Sequence, residues 1–393
     1  MKRFVALLGL LAGLLGAGLL LADPALAHAS VVGSNPVDGS RLKTAPSQVS
    51  ITFDEDVTFG GIGYLHVTNQ QGQRVDAGAA FHPGGDGTKV ADRLKKGLGD
   101  GSYTESWRVI SADSHPVAGT IAFVVGHGAL VRTATTTSSA SNANTSTAFD
   151  VARWISYAGL ALLGGTWLLL TVWPEGRDDE RASGLVWSGV GVTALGAVLE
   201  LVIQGPFAAG GSLTKIADGS LLDDTLHSTY GELHCVRLVL IGLLALVLVR
   251  ALWFGSYALP RALPWVAGAL GAGIAYTFSA SGHADTTTPN GLSIPADMLH
   301  LLSMGAWLGG LIMLLSAVLP RREPDELHAV LPVFSRVAFT SVVALAVTGT
   351  YAAWRGVGTV HALFSTSYGL LVSGKVVLFL ALVALGNLSR GVV

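Results

Sequence analysis

Two hydrophobic rhythms divide the chain. Across residues 28–126 the apolar positions come in short runs, QVSITF, GYLHVTN, YTESWRVIS and TIAFVV, which alternate with polar residues or continue for a few positions. Turn clusters such as NPVDGS, HPGGDG and GLGDGS separate them. Alternation with a period of two marks strands half buried in a sheet, and no stretch here repeats convincingly at the helical period of about 3.6. About seven short strands in about 100 residues predict a small all-β antiparallel sandwich or barrel. From Phe149 onward the pattern changes to long apolar segments, roughly 151–173, 183–207, 233–254, 262–280, 296–319, 333–353 and 368–390. Each is close to the ~20 residues with which a helix crosses a bilayer, so residues 149–393 read as an all-α polytopic transmembrane bundle of about seven helices. The connection, 127–148, contains TATTTSSASNANTSTA at 133–148. These residues are small, polar and uncharged, the composition of a flexible linker. Ahead of everything stand Lys2 and Arg3, an apolar run from Phe4 to Ala22, and Ala25-Leu26-Ala27. A charged start, an apolar middle and an A-x-A site in that order form a signal peptide over 1–27.

Composition supports a membrane protein rather than a large soluble enzyme: 50% of the 393 residues are hydrophobic and only 13% charged. A net charge of −2 gives no reason to expect nucleic acid. Cys235 is the single cysteine, so no intrachain disulfide can form. There is no zinc-type cysteine spacing, phosphate-binding glycine loop or nucleophile elbow, and no catalytic residue is expected. The signal peptide exports the soluble domain, so the first span runs inward. Arg177, Arg181, Arg250, Arg261, Arg321, Arg322 and Arg390 then fall on the cytoplasmic side, with Lys215 and Arg355 outside, as the positive-inside rule asks. The expected location is the cytoplasmic membrane, with the N-terminal domain on its extracytoplasmic face.

Cleavage after Ala27 makes His28 the first residue, placing a free α-amine and an imidazole on one residue as a two-nitrogen chelate. In SADSHPVAG at 111–119, Asp113 and His115 are two apart and point to one side of an extended chain, and Pro116 biases His115 away from helix. Together these groups would make a tetragonal N/O set suited to Cu(II); alternatively the segment is a surface turn in which Asp113 bonds nearby backbone. His66, His82 and His127 read as ordinary surface or strand histidines. In the membrane half, His227, His234, His283, His300 and His361 all fall in outer loops or at outer helix ends. Asp297, His300 and Met304 stand at i, i+3 and i+7, one stripe descending from the outer end, with a thioether that would suit Cu(I). Glu200, Arg237 and Lys375 are ionisable groups within spans, where such groups are candidates for function; Lys375 and Arg237 could instead snorkel to the outer interface, which leaves Glu200 the better candidate. Cys235 reads as a helix-packing residue.

HASVVGSNPVDGSRL, ITFDEDV and GSYTESWRVISADSHPVAGTIAFVVG together resemble the CopC copper-binding family over nearly the whole soluble domain. The resemblance implies a β-sandwich with a Cu(II) site made by His28, Asp113 and His115, with Glu55 a further candidate. The domain has no methionine, so the Met-rich Cu(I) site of some relatives is not expected. TYGELHCVRLVL, DMLHLLSMGAWLGGL, FSRVAFTSVVALAVTGTYAAW and YGLLVSGKVVLFLALVALGN resemble the CopD family over most of 230–387. The pair implies extracytoplasmic Cu(II) capture and delivery of copper to the bundle for transport, most often read as uptake. Expected partners are copper, the lipid bilayer and a copper chaperone or cuproenzyme as recipient. The alternative classes are a membrane-anchored copper monooxygenase-like enzyme and a haem electron carrier.

Overall fold

The computed structural model describes residues 29–59, 63–111, 116–132, 142–253, 260–282, 290–357, 362–365 and 367–390. One compact unit extends to Thr348, and the residues from Gly349 onward belong to another.

The N-terminal part forms two sheets. In the first, β1 (Val31–Asn35) and β6 (Lys89–Arg93) flank β3 (Gln48–Phe53). In the second, β2 (Arg41–Leu42), β8 (Pro116–Val125) and β7 (Gly101–Ser111) follow in order, and β4 (Val57–Thr58) and β5 (Tyr64–Asn69) share the far edge of β7. Period-two alternation builds the core as the sequence predicts. Val49, Ile51 and Phe53 of β3 face Tyr103, Trp107 and Val109 of β7 and Phe123 of β8. Trp107 meets Phe53 edge-on, ring centroids 5.2 Å apart. Gly119, its cross-strand partner, has no room for a side chain: a Cβ there would lie 2.6 Å from the indole.

The helical part begins earlier than the linker reading of 127–148 places it. α1 (Ala143–Thr171, with a break at Gly165) starts inside TATTTSSASNANTSTA because the Asn142 side chain accepts from the Asn144 amide at 3.1 Å. Thr145 is then buried and donates to the Gly211 carbonyl at 2.9 Å. There follow α2 (Glu180–Ala208), the short α3 (Gly219–Leu226), α4 (Thr229–Trp253), α5 (Leu263–Ala280), α6 (Gly291–Arg321), α7 (Pro324–Val357) and α8 (Ser367–Arg390). Among the described residues six helices, α1, α2 and α4 to α7, are long and apolar enough to cross a membrane. The seventh expected span coincides with α8, whose described apolar stretch is Gly369–Ala381. Glycines let α1 approach two neighbours. A Cβ on Gly196 of α2 would lie 2.3 Å from Ser156 of α1, and one on Gly309 of α6 would lie 2.2 Å from the Ala161 carbonyl. Small residues of this kind permit close helix packing in lipid. At the far end of the bundle Arg321 pairs with Glu326 and Asp179, and Trp173 donates to Glu326.

Candidate functional site

His28, Asp113, His115, His283 and His361 lie outside the described residues. The flanks of the first three are nonetheless brought together. Ala29 is buried in the sandwich core, and the Ser30 amide donates to Asp54 at 2.7 Å while its carbonyl receives the Asp54 amide at 3.0 Å. The start of the mature chain therefore runs beside the turn that carries half-buried Glu55. Immediately after that turn, Val57 and Thr58 pair with Ser111 and Ile110. Ile110 in turn pairs with Pro116, closing the β7–β8 hairpin. Three segments remote in sequence thus meet at one end of the sandwich.

That end is seated on the bundle. Arg108 of β7 donates to the Ala208 carbonyl at the end of α2, 3.4 Å away. Gly210 follows with φ of +64°, and a Cβ there would lie 2.6 Å from the same guanidinium. Beside this contact is a cavity of about 450 Å³ whose walls come from both parts: Asp56, Thr58 and Ser111 of the sandwich, and Gln204, Asp224, His227, Tyr230 and Ser281 of the helical region. It is a mouth lined by carboxylates, hydroxyls and one imidazole. A second cavity, about 320 Å³ between α1, α4, α5 and α6, is walled almost wholly by apolar side chains such as Leu160, Leu244 and Ile274 and offers a metal nothing.

Below the mouth the predicted polar residues separate into two groups. Glu200, His234 and Arg237 converge. His234 does not stand at an exposed outer edge as the sequence suggests; it is fully enclosed, with both ring nitrogens engaged by protein groups, and is not an open metal ligand. As the sixth residue of α4 it turns inward, toward Glu200 of α2. Ser156, Tyr230, Thr277 and Ser281 complete this cluster and were not foreseen. The sequence held one signal for them: Tyr230, His234 and Arg237 are spaced i, i+4 and i+7, a single helical stripe. The second group lies along α6. Asp297 accepts from Ser279 of α5 at 2.7 Å, and His300 Nδ1 lies 2.9 Å from the Thr348 hydroxyl. Met304 is half buried against the apolar core. Among the described residues no three His, Cys, Asp or Glu side chains cluster as a metal site.

Other expectations are corrected. Lys375 is exposed on α8 rather than buried, since Gly369 and Val372 form that helix's inner face. Cys235 is likewise exposed rather than packed between helices. His227 is exposed at the mouth, 2.9 Å from the Asp223 carbonyl. His82 bonds the Lys89 carbonyl, His127 pairs with Asp100 and His66 stacks on Tyr64, all structural roles.

Comparison with known proteins covers both parts. Residues 31–126 match the CopC domain, 143–291 the copper resistance protein D-like N-terminal domain and 328–393 copper resistance protein D. Copper transport protein CutJ of Bacillus subtilis (strain 168) is 31% identical over 381 residues, 93% of this chain and 68% of that one. Copper resistance protein C of Pseudomonas syringae pv. tomato is 32% identical over 117 residues, 28% of this chain and 91% of its own. Among solved structures, CopC from Methylosinus trichosporium OB3b covers 26% of this chain and 100% of its own at 24% identity and a TM-score of 0.23. PcoC from Escherichia coli covers 25% and 99% at 29% identity and a TM-score of 0.21.

Proposed function

Because the chain belongs to the copper transport proteins that join a CopC domain to copper resistance protein D regions, we propose that it captures Cu(II) outside the cell and passes copper through its bundle for uptake across the cytoplasmic membrane. Copper is the cargo. His28, Asp113 and His115 hold Cu(II) through the α-amine, two imidazoles and a carboxylate, with Glu55 on the adjoining turn. The leader sends the sandwich outward, so the cavity end of the bundle faces outside and the Arg321 end faces the cytoplasm.

The observation that carries this reading is the cavity shared by the metal-binding end of the sandwich and the bundle. Asp56, Asp224 and His227 give a released ion oxygen and nitrogen donors there. Ser281 in its wall lies two residues from Ser279, which holds Asp297, the first member of the α6 stripe. From Asp297 through His300 to Met304 the donors soften with depth, and soft donors hold Cu(I) best.

Copper accumulation measured in cells lacking the protein and in cells producing wild type, His300→Ala or Met304→Leu tests the proposal. Wild type should raise accumulation, and each variant should lower it per folded molecule. Met304→Leu is the sharper probe, since a swap that nearly conserves volume costs less than about 1.5 kcal/mol and removes only the sulfur. Lower accumulation with wild type would make the protein an exporter. Unchanged uptake in both variants would take the α6 stripe out of the path.

A further inference from the structure

The cluster beneath the mouth is not used by the copper path, and its hydrogen bonds cannot all be made at once. His234 Nδ1 lies 2.8 Å from the Tyr230 carbonyl oxygen, which only accepts, so Nδ1 carries a hydrogen. Nε2 then has either one in-plane lone pair or, when protonated, one N–H. Two groups claim it. Arg237 Nη1, 3.1 Å away, only donates and needs the lone pair. Glu200 Oε2, 3.3 Å away, only accepts when ionised and needs the N–H. Both claimants are anchored from elsewhere. Arg237 donates to the Thr277 hydroxyl and carbonyl and to Ser281, and lies 3.7 Å over the Phe278 ring, all on or next to α5. Glu200 receives the hydroxyls of Ser156 from α1 and Tyr230 from α4. The imidazole between two fixed claimants can satisfy them only in turn, and a proton decides which.

We infer that Glu200 and His234 form a proton-binding site inside the bundle, filled from the cavity, through which copper passage is coupled to a proton gradient. The coupling rests on the copper-transport reading; the proton site does not. Without the proton His234 accepts from Arg237, a neighbour on the same helix. With it, His234 bonds Glu200 on α2, so proton occupancy adds a second α4–α2 bond beside that of Tyr230. Access is short: Tyr230 and Ser281 line the cavity and bond Glu200 and Arg237 respectively. The other titratable groups acting on the cluster are Arg153 and Tyr157 of α1 and Asp297 of α6; α5 contributes only hydroxyls and a carbonyl among the described residues.

The test uses the full chain in lipid nanodiscs with ¹⁵N-labelled histidine, reading the protonation of His234 Nε2 by NMR and assigning it with His234→Gln. Nε2 should titrate between about pH 5 and about pH 9, and Glu200→Gln should move the midpoint by about one pH unit or more. An Nε2 locked in one state, or a midpoint indifferent to Glu200→Gln, would overturn the site. Should Glu200→Gln not fold, Tyr230→Phe removes one hydroxyl from the same carboxylate and must also move the midpoint. In proteoliposomes holding an internal pH dye, copper added outside should produce a copper-dependent pH change with wild type. One unit of imposed pH difference should alter copper accumulation by about tenfold per coupled proton. Copper entry with no pH signal would overturn the coupling. No copper entry, with the NMR titration intact, would overturn the transport reading and support the proton site alone.

Discussion

Replacing Glu105 by Gln should stabilise the sandwich at alkaline pH and flatten its dependence on pH. Glu105 lies on β7 with the parity of Tyr103 and Trp107, so its side chain enters the core; it is fully buried, and neither oxygen has a hydrogen-bond partner among the described residues. Burial, with a smaller push from the charge of Asp92, raises its carboxyl to about 8 from an ordinary value of 4.5. A folded value above the unfolded one means that the native state holds a proton the unfolded chain has released. Stability is therefore full below the unfolded value and is lost as pH rises from there through the folded value. At 1.36 kcal/mol per unit the whole window amounts to about 4–5 kcal/mol, of which about 3 kcal/mol is already lost at neutral pH. Asp92, raised by its own burial to about 6, adds in the same direction. Residues 28–132 suffice for the assay, since copper resistance protein C relatives consist of little beyond this domain. Urea midpoints between about pH 5 and about pH 9 should fall steeply for wild type and far less for Glu105→Gln. Parallel curves for the two proteins would show that the carboxyl is solvated and refute the reasoning.

Two further outcomes are expected. One extra residue ahead of His28 should remove the free amine from the chelate, lowering Cu(II) affinity of the same fragment by at least about tenfold and altering its EPR spectrum, as should His115→Ala; unchanged affinity in both would move the site elsewhere. Gly196→Val should force α1 and α2 apart at Ser156, an overpacking cost of about 1–3 kcal/mol, seen as a lower yield of monodisperse protein in detergent, with Gly184→Val, which meets nothing, as control.

The sandwich was legible because its main strands read as alternating or short continuous apolar runs between turn clusters, and the segment around Asp113 and His115 is long enough to be specific. The same alternation also announced the buried acid: in YTESW, Glu105 shares its parity with Tyr103 and Trp107, so a strand that buries its aromatics must bury the carboxyl too. The linker was overextended because composition cannot see a cap; Asn142 and the burial of Thr145 convert Ser/Thr/Asn-rich chain into helix. In the bundle, hydropathy located the spans but not their faces. A helix apolar on all sides gives no inner stripe to read, which is why Lys375 could be read either as buried or as snorkelling to the interface. Tyr230, His234 and Arg237 lie on one legible stripe, yet Glu200 belongs to another helix, and no local pattern in α2 says which neighbour it meets.

Joining the two parts in one chain has a consequence that a flexible tether alone would not supply. A short linker raises the effective concentration of one domain at the other to about the millimolar range, but leaves the ion to cross water between them. Here Arg108 is bonded to the end of α2, and Ser111, the last described residue of β7, lines the same cavity as Asp224 and His227. On the proposed function, copper leaving the sandwich would enter a cavity in which Asp56, Asp224 and His227 stand among apolar side chains such as Leu221 and Leu233. Exchange would then depend on the competition between the two proposed ligand sets across one cavity rather than on diffusion. A proton on the Glu200–His234 pair, which Tyr230 of the cavity wall joins by a hydrogen bond, would then bias which set wins.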